Sequence, residues 1–335
     1  MEGTPEWVIR TGRDADGAAV IALMWACWSV YPGVLMDVDL EMPELHALAS
    51  YFDGQGGALW IAEAGGLVAG MAAVRPIGGA VWEICRVYVD PGRHGSGLGH
   101  ALLDRAERHA IAAGAERLVL WSDTRFERAH RFYEKRCYVR SGPVRVLEDI
   151  SNSLEYGYAK PVNGVEALDI AAAGSAEVRL ADILIACVDT GASVSFLPPL
   201  ARGKAVAFWH RMGRDVGAGS RVLLAAWRDG VMVGTGMVDL GTPENQPHRA
   251  EVQKILVHPD GRRGGVARQL MRALEQAAVT AGRSLLTLDT RAGEAGEALY
   301  QAEGWRECGR IPGYALHADG VPHDTVLFWK RVGDG

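Results

Sequence analysis

Two glycine-dense loops are the stretches of this sequence whose residue types and spacing point to chemistry. The first lies in Glu83–Gly99, read Glu-Ile-Cys-Arg-Val-Tyr-Val-Asp-Pro-Gly-Arg-His-Gly-Ser-Gly-Leu-Gly. The second lies in Glu251–Ala267, read Glu-Val-Gln-Lys-Ile-Leu-Val-His-Pro-Asp-Gly-Arg-Arg-Gly-Gly-Val-Ala. Glu83, Pro91 and Gly97 each find a counterpart 168 positions on, in Glu251, Pro259 and Gly265. An alternating apolar run precedes each loop and an amphipathic run follows it, so each reads strand, loop, helix. In that order, backbone N–H groups and the positive end of a helix converge on a phosphate. No Lys-Ser or Lys-Thr follows either loop, which excludes the P-loop. The dinucleotide loop wants Gly-x-Gly-x-x-Gly in the first strand–helix unit of a parallel sheet. Here the spacing is Gly95-x-Gly97-x-Gly99, after three strands of antiparallel type.

The elements that must position these loops repeat in the same order. In the first half a short strand at 7–10 leads to a helix over 18–24, with Asp14 offered as its N-cap, and a second helix is expected over 42–52. Strands at 59–62 and 67–74 meet across Gly65-Gly66, and the loop stretch supplies the fourth. After its helix, Gly114 is the stop, and Arg117–Trp121 reads as a buried fifth strand. A helix over 128–135 and two late strands close the half. The second half runs alike: a strand at 165–168, helices over 176–188 and 204–215, strands at 221–227 and 231–240, the second loop with a helix over 268–281, and a strand at 284–289. Pro161-Val162-Asn163-Gly164 separates the copies, giving domains 1–163 and 164–335. The expected fold is α/β (α+β), two tandem domains, each a mixed, mainly antiparallel sheet flanked by helices.

Composition agrees with two ordinary globular cores. The 335 residues exceed one core, and 48% are hydrophobic. A net charge of −6 and the lack of a basic stripe argue against nucleic acid as the main partner. Five cysteines, odd in number and without a Cys-x-x-Cys pair, read as free thiols of a reduced, cytoplasmic protein. The start, Met-Glu-Gly-Thr-Pro-Glu-Trp, shows no leader pattern, and no apolar run reaches the roughly 18–20 residues of a membrane helix. No His, Cys and carboxylate cluster has metal-ligand spacing, so no metal is expected.

The loop pattern (Arg/Gln/His)-x-x-Gly-x-(Gly/Ala) stands as His94-x-x-Gly97-x-Gly99 and Arg262-x-x-Gly265-x-Ala267. In this the chain resembles, twice and over essentially its whole length, the GNAT superfamily of acyl-CoA-dependent N-acyltransferases. The resemblance implies a fourth strand that is bulged and splayed from the fifth, with the pantetheine arm of acetyl-CoA or another acyl-CoA lying in the gap. It assigns the backbone of Val87, Tyr88, Val89, Ile255, Leu256 and Val257 to that arm. The pyrophosphate falls to His94, Gly95, Ser96, Gly97, Leu98, Gly99 and His100, and to Arg262, Arg263, Gly264, Gly265, Val266, Ala267 and Arg268.

Acyl transfer to an amine also needs a base and an acid for the leaving thiolate. The resemblance places Glu251 and Asp289 as the base, directly or through water, and Tyr300 as the acid, with Glu83, Asp123 and Tyr133 as first-half equivalents. His130, on a helix rich in charge, reads as solvated. Trp25, Trp28, Tyr31, Phe196 and Trp209 fall in segments that cover the acceptor side in such a fold. The second half is also similar to tabtoxin-resistance acetyltransferases, through Gly191–Val194, Arg249–Lys254, Leu288–Thr290, Tyr300 and Ile311–Gly320, segments that the first half does not all share. The expected activity is therefore N-acetylation of a small-molecule amine, antibiotic-related by that resemblance, with catalysis in the second domain. An acyl-CoA-binding structural or sensor protein is the alternative, and the acyl length, the acceptor and a homodimer are left open.

Overall fold

The two periodicities of the sequence, two for strands and near four for helices, build two sheets with helices laid against them. The computed structural model describes residues 7–317 and 319–333. The segment read for a leader lies, up to Glu6, outside the described residues, as does Ala318 in the Ile311–Gly320 stretch. Packing divides the chain into two units. One runs to Tyr133 and includes Arg140–Val162, and the other holds Glu134–Val139 with the chain from Asn163 onward.

The first unit begins with β1 (Val8–Thr11), α1 (Gly17–Trp28), α2 (Val38–Glu41) and α3 (Leu48–Gly54). Then come β2 (Ala58–Ala64), β3 (Leu67–Gly78), β4 (Val81–Val89), α4 (Leu98–Ala112), β5 (Arg117–Asp123) and α5 (Glu127–Lys135). The short β6 (Val139–Arg140) and β7 (Arg145–Val146) precede β8 (Leu154–Pro161). The sheet order is β1-β2-β3-β4-β5-β8-β6, with β7 on β8. Within it β4 and β5 are parallel, while β1 to β4, and β5 with β8, pair antiparallel.

The second unit runs β9 (Gly164–Leu168), α6 (Ile170–Asp189), α7 (Arg202–Gly217), β10 (Arg221–Arg228), β11 (Val231–Asp239), β12 (Arg249–Val257) and α8 (Val266–Thr280). It closes with β13 (Leu285–Arg291), α9 (Ala295–Ala302), β14 (Arg306–Leu316) and β15 (Pro322–Arg331). Its sheet order is β14-β15-β13-β12-β11-β10-β9, with β12 and β13 the parallel pair. Each unit is thus a mixed, mainly antiparallel sheet flanked by helices.

Two local expectations are corrected. A single helix over 42–52 does not form. Pro43, which has no N–H to continue a helix, opens a 3-10 turn over Pro43–Ala47, between α2 and α3. Asp14 does not cap α1; its carboxylate accepts from the N–H and hydroxyl of Ser50, 2.9 and 2.5 Å away, and α1 starts after a 3-10 turn at Asp14–Asp16.

The helix after each loop is held to its sheet by the same devices. In α4 the buried positions Leu98, Leu102, Leu103, Ala106 and Ala110 form one stripe, and in α8 they are Val266, Leu270, Met271, Leu274 and Ala278. Each stripe rests on a strand glycine: a Cβ on Gly70 would meet Leu102 at 2.8 Å, and one on Gly234 would meet Leu270 at 3.1 Å. An acidic residue of the helix then reaches a lysine of the last long strand. Glu107 accepts from Lys160 at 2.8 Å, both buried. Glu275 accepts from Lys330 at 2.7 Å and from the indole of Trp305 at 3.0 Å.

Candidate active site

In both units the fourth strand parts from the fifth. β4 pairs with β5 only over Val81–Glu83, and β12 with β13 only over Arg249–Glu251. Just beyond, each strand is bulged. Arg86 and Val87 together face Ala72 where the register of β4 on β3 slips, and Lys254 and Ile255 face Gly236 in the same way on β11. The first residue of each bulge is left-handed, Arg86 at φ 51° and Lys254 at φ 52°, 168 positions apart. For a residue with a Cβ that conformation costs on the order of 1–2 kcal/mol, so the surrounding pairs must hold it. A bulge bends the strand away from its neighbour, and the V-shaped gap that opens runs along Val87–Val89 and Ile255–Val257.

The glycine loops close the end of each gap. Gly97 (φ 89°) and Gly265 (φ 78°) take the left-handed N-cap positions of α4 and α8, with open space where a side chain would stand. The first-turn N–H groups of Leu98, Gly99 and His100, and of Val266, Ala267 and Arg268, have no acceptor within their own helix. In the first loop Ser96 Oγ accepts from Leu98 N at 3.4 Å. The second loop puts Arg263 at φ 62° where the first has Gly95 at φ 84°. It also gains a guanidinium the sequence did not reveal. Arg228, at the end of β10, donates to the Gly264 carbonyl at 2.6 Å, and a Cβ on Gly264 would overlap it.

His94 and Arg262 do not simply face the loops. The Nε2 of His94 lies 3.1 Å from the Val89 carbonyl, which also accepts from Cys27 Sγ at 3.4 Å. Arg262 Nε and Cys187 Sγ share the Val257 carbonyl in the same way, at 3.3 and 3.4 Å, and Arg262 reaches Thr190 Oγ1 at 2.8 Å. These side chains tie the loop to the strand end.

The candidate acid–base residues fall into two sets with different surroundings. In the first unit they are engaged. Glu83 is ion-paired to Arg75, its cross-strand neighbour, at 2.7 Å. Asp123 accepts from the N–H, Nε and Nη2 of Arg125, the last at 2.6 Å. Burial would push the Asp123 carboxyl up, but these bonds hold it below the usual range. Tyr133 is buried beside Tyr88 and Tyr158, and burial pushes its hydroxyl well up. His130 is corrected: it is buried between the rings of Tyr156 and Tyr158, with Nε2 2.9 Å from the Asp123 carbonyl. The charges of α5 lie on its other positions.

In the second unit the counterparts are left available. Asp239 faces Glu251 where Arg75 faces Glu83, so no arginine sits opposite. Arg221 is taken by Asp239 at 2.7 Å and reaches Glu251 only through Gln253, whose amide donates to Glu251 at 3.0 Å. Asp289 is exposed and accepts from Thr325 Oγ1 at 3.2 Å. Among the described residues neither Glu251 nor Asp289 has an ion pair, and the Tyr300 hydroxyl has no hydrogen-bond partner. Burial, reinforced by Asp289, pushes the Tyr300 phenol up to about 12, so it stays protonated across the neutral range.

Sequence reasoning missed Lys254. Its Nζ lies 3.2 Å from Ser195 Oγ, and burial lowers its pKa against the pull of Asp289 and Glu251. Only the left-handed bulge turns it there, and no local signal marks a bulge at a lysine. Beside it is a cavity of about 240 Å³, lined by residues 191–198, Val188 and the end of β14 at Ala315, Leu316 and His317. Of the aromatic residues expected on the acceptor side, Phe196 lines this cavity and Trp209 is core. In the first unit, Trp28 donates to Tyr88 Oη at 3.1 Å, Tyr31 packs against Phe126 with the rings tilted, and Trp25 is exposed.

A mixed sheet whose fourth and fifth strands splay over a glycine-loop helix start defines an acyl-group transferase class. The profile of the acetyltransferase (GNAT) family matches residues 18–137 and again residues 196–305. The chain belongs to this family, with two copies of its fold. Among curated relatives, an amino-acid acetyltransferase of Mycobacterium tuberculosis is 28% identical over 159 residues, covering 46% of this chain and 82% of the relative. An IAA acetyltransferase of Azospirillum brasilense is 34% identical over 109 residues, 32% of this chain and 65% of the relative. Two solved structures align on about half the chain. An acetyltransferase of Salmonella typhimurium, solved with acetyl-CoA, has 15% identity and a TM-score of 0.44 over 52% of this chain and 96% of its own. A phosphinothricin acetyltransferase of Sinorhizobium meliloti, also with acetyl-CoA, has 17% identity and a TM-score of 0.44 over 52% and 90%.

Proposed function

We propose that the second unit N-acetylates a small amine that also carries a carboxylate, an amino-acid-like molecule, and that the first unit binds acyl-CoA without turning it over. The observation that carries this reading is the contrast between the two sets. Glu83 and Asp123 are held by arginines, whereas Glu251 and Asp289 have no ion pair among the described residues, and Tyr133 is buried where Tyr300 is only partly so. The open left-handed glycines and the splayed strands fit an acyl-CoA in each unit. Its pyrophosphate would be held by the loop amides of residues 95–100 and 263–268, with Arg228 and Arg263 adding charge in the second. The acyl-CoA supplies an activated acyl group.

The residues of the second unit do the rest. Glu251 and Asp289 take the proton of the acceptor ammonium, directly or through water, and Tyr300, a phenol at working pH, returns one to the departing thiolate. Lys254, turned by the bulge and steadied by Ser195, holds the carboxylate of the acceptor. The name of one curated relative, an amino-acid acetyltransferase, and the resemblance of the second half to tabtoxin-resistance acetyltransferases favour such an acceptor.

The test is release of free thiol from acetyl-CoA over a panel of amino acids and their amides. Glu251→Gln, Asp289→Asn and Tyr300→Phe should each lower turnover about 100-fold, the usual worth of a positioned acid or base. Glu83→Gln should leave it within about threefold. No release with any acceptor, with coenzyme bound, would favour the sensor reading, and full loss on Glu83→Gln would move catalysis to the first unit.

A further inference from the structure

A third group of side chains, on the hairpin that ends the second unit, is not used by the acyl-transfer reading. His317 directly follows β14, Asp319 lies in the turn, and His323 is the second residue of β15. One donor atom from each lies within 4.8 Å of the other two. The spacing His-x-Asp-x-x-x-His is silent in sequence, because the residues meet only when the hairpin folds back on itself. Backbone bonds set that fold: Gly320 N donates to the His317 carbonyl at 2.9 Å and His317 N to the Val321 carbonyl at 3.0 Å.

His317 has an independent oddity. Both ring nitrogens are inaccessible to solvent, and neither has a hydrogen-bond partner among the described residues. Its Nδ1 stands 3.6 Å from Asp319 Oδ1, outside hydrogen-bond range, and Nε2 is turned to Gly191, where a Cβ would come within 3.5 Å. A neutral imidazole must donate at one nitrogen and accept at the other, so a ring whose two nitrogens are both shielded from solvent and unmet is unfavourable. Asp319 Oδ1 accepts from Val321 N at 2.9 Å, which orients the carboxylate and leaves its other oxygen for a ligand. The two imidazole rings lie 5.2 Å apart, edge to face.

We propose that His317, Asp319 and His323 form a binding site for a divalent transition-metal ion, with Zn²⁺ the preferred occupant. Two imidazoles and one carboxylate are a borderline-soft set that suits zinc and disfavours magnesium and calcium. Zinc holds donors at about 2.0–2.1 Å, hence about 3.4 Å from one another, so the three atoms must close by at most about 1.4 Å. Side-chain rotation at a hairpin turn supplies that distance. Coordination satisfies one nitrogen of His317 and leaves a fourth position on the metal. The ion would pin β14 to β15 where His317 walls the 240 Å³ cavity.

The site does not depend on acyl transfer, so the test reads metal alone. ZnCl₂ is titrated into the full chain against a chromophoric chelator, with Co²⁺ absorption as a second readout. One saturable site is expected, with a tetrahedral Co²⁺ spectrum. His323→Gln should weaken it at least tenfold, and His317→Gln with His323→Gln should remove it. Cys308→Ser, which alters an exposed thiol near the start of β14, at the other end of the strand from the turn, should leave it unchanged. Circular dichroism without metal checks that each variant folds, and His323→Gln alone serves if the double variant does not. No saturable binding by the unaltered chain, or binding that survives in His323→Gln, overturns the proposal. So does loss caused by Cys308→Ser.

Discussion

At the scale of single residues, the same amino acid means different things in the two copies because its partner differs. Glu83 and Glu251 occupy the same strand position, yet one meets Arg75 across the sheet and the other meets Asp239. That partner lies on a different strand, so the loop motif made both glutamates legible but not which was free. His130 was misread for a related reason. The charges around it in sequence belong to α5, but the helix turns this one ring into the sheet. Burial disfavours the imidazolium, which lowers the pKa of His130 from 6.5 despite its bond to the Asp123 carbonyl. The unfolded chain therefore binds a proton in a range where the folded one does not. Stability should fall as pH drops through about 6.5. Thermal unfolding from pH 7.5 to 5.5 checks this: the midpoint should decline, and His130→Gln should flatten the decline while lowering the midpoint at pH 7.5.

At the scale of elements, strand alternation and glycine stops were legible, and Pro161-Val162-Asn163-Gly164 falls between β8, which ends at Pro161, and β9, which begins at Gly164. The bulges were expected only from the family resemblance. Nothing in Arg86 or Lys254 announces a left-handed backbone, because the strain is imposed by the register of β3 and β11. The clamp between the loop helix and the last strand was also hidden, its partners lying 53 residues apart for Glu107 and Lys160 and 55 for Glu275 and Lys330. Removing one member strands a buried charge, which costs about 3–5 kcal/mol. Glu107→Ala should therefore lower the denaturation free energy of the first unit by about 3 kcal/mol in urea titration. Glu107→Gln with Lys160→Met should recover most of it.

At the scale of the whole molecule, duplication is the main fact the sequence carried, in the 168-residue offset that recurs at the bulges, the loops and the helix glutamates. Both units keep the splay and the left-handed loop glycine, although the candidate acid–base side chains are available in only one. Coenzyme binding should then outnumber turnover sites. Native mass spectrometry with acetyl-CoA should show two molecules per chain. Gly97→Val, strained at φ 89° by about 1–2 kcal/mol, should reduce that to one. The cavity beside Lys254 was the least legible feature, because Val188, residues 191–198 and residues 315–317 come together only in the fold.

The repeated clamp has a consequence for gene recombination. Since Glu107 and Glu275 each find a lysine at the matching place, an unequal crossover that exchanges α4 for α8 would keep an acid–lysine pair in either product. The packing stripe would not carry over as well, because Ala106 stands where the second helix has Leu274, and each core is fitted to its own volume. An exchange cut one element earlier would move the loop without its strand partners. Arg263 would land without Arg228 nearby, and Gly95 beside it. The clamp is thus common to both copies while the two loops drift apart, each loop inherited together with the strand end that braces it.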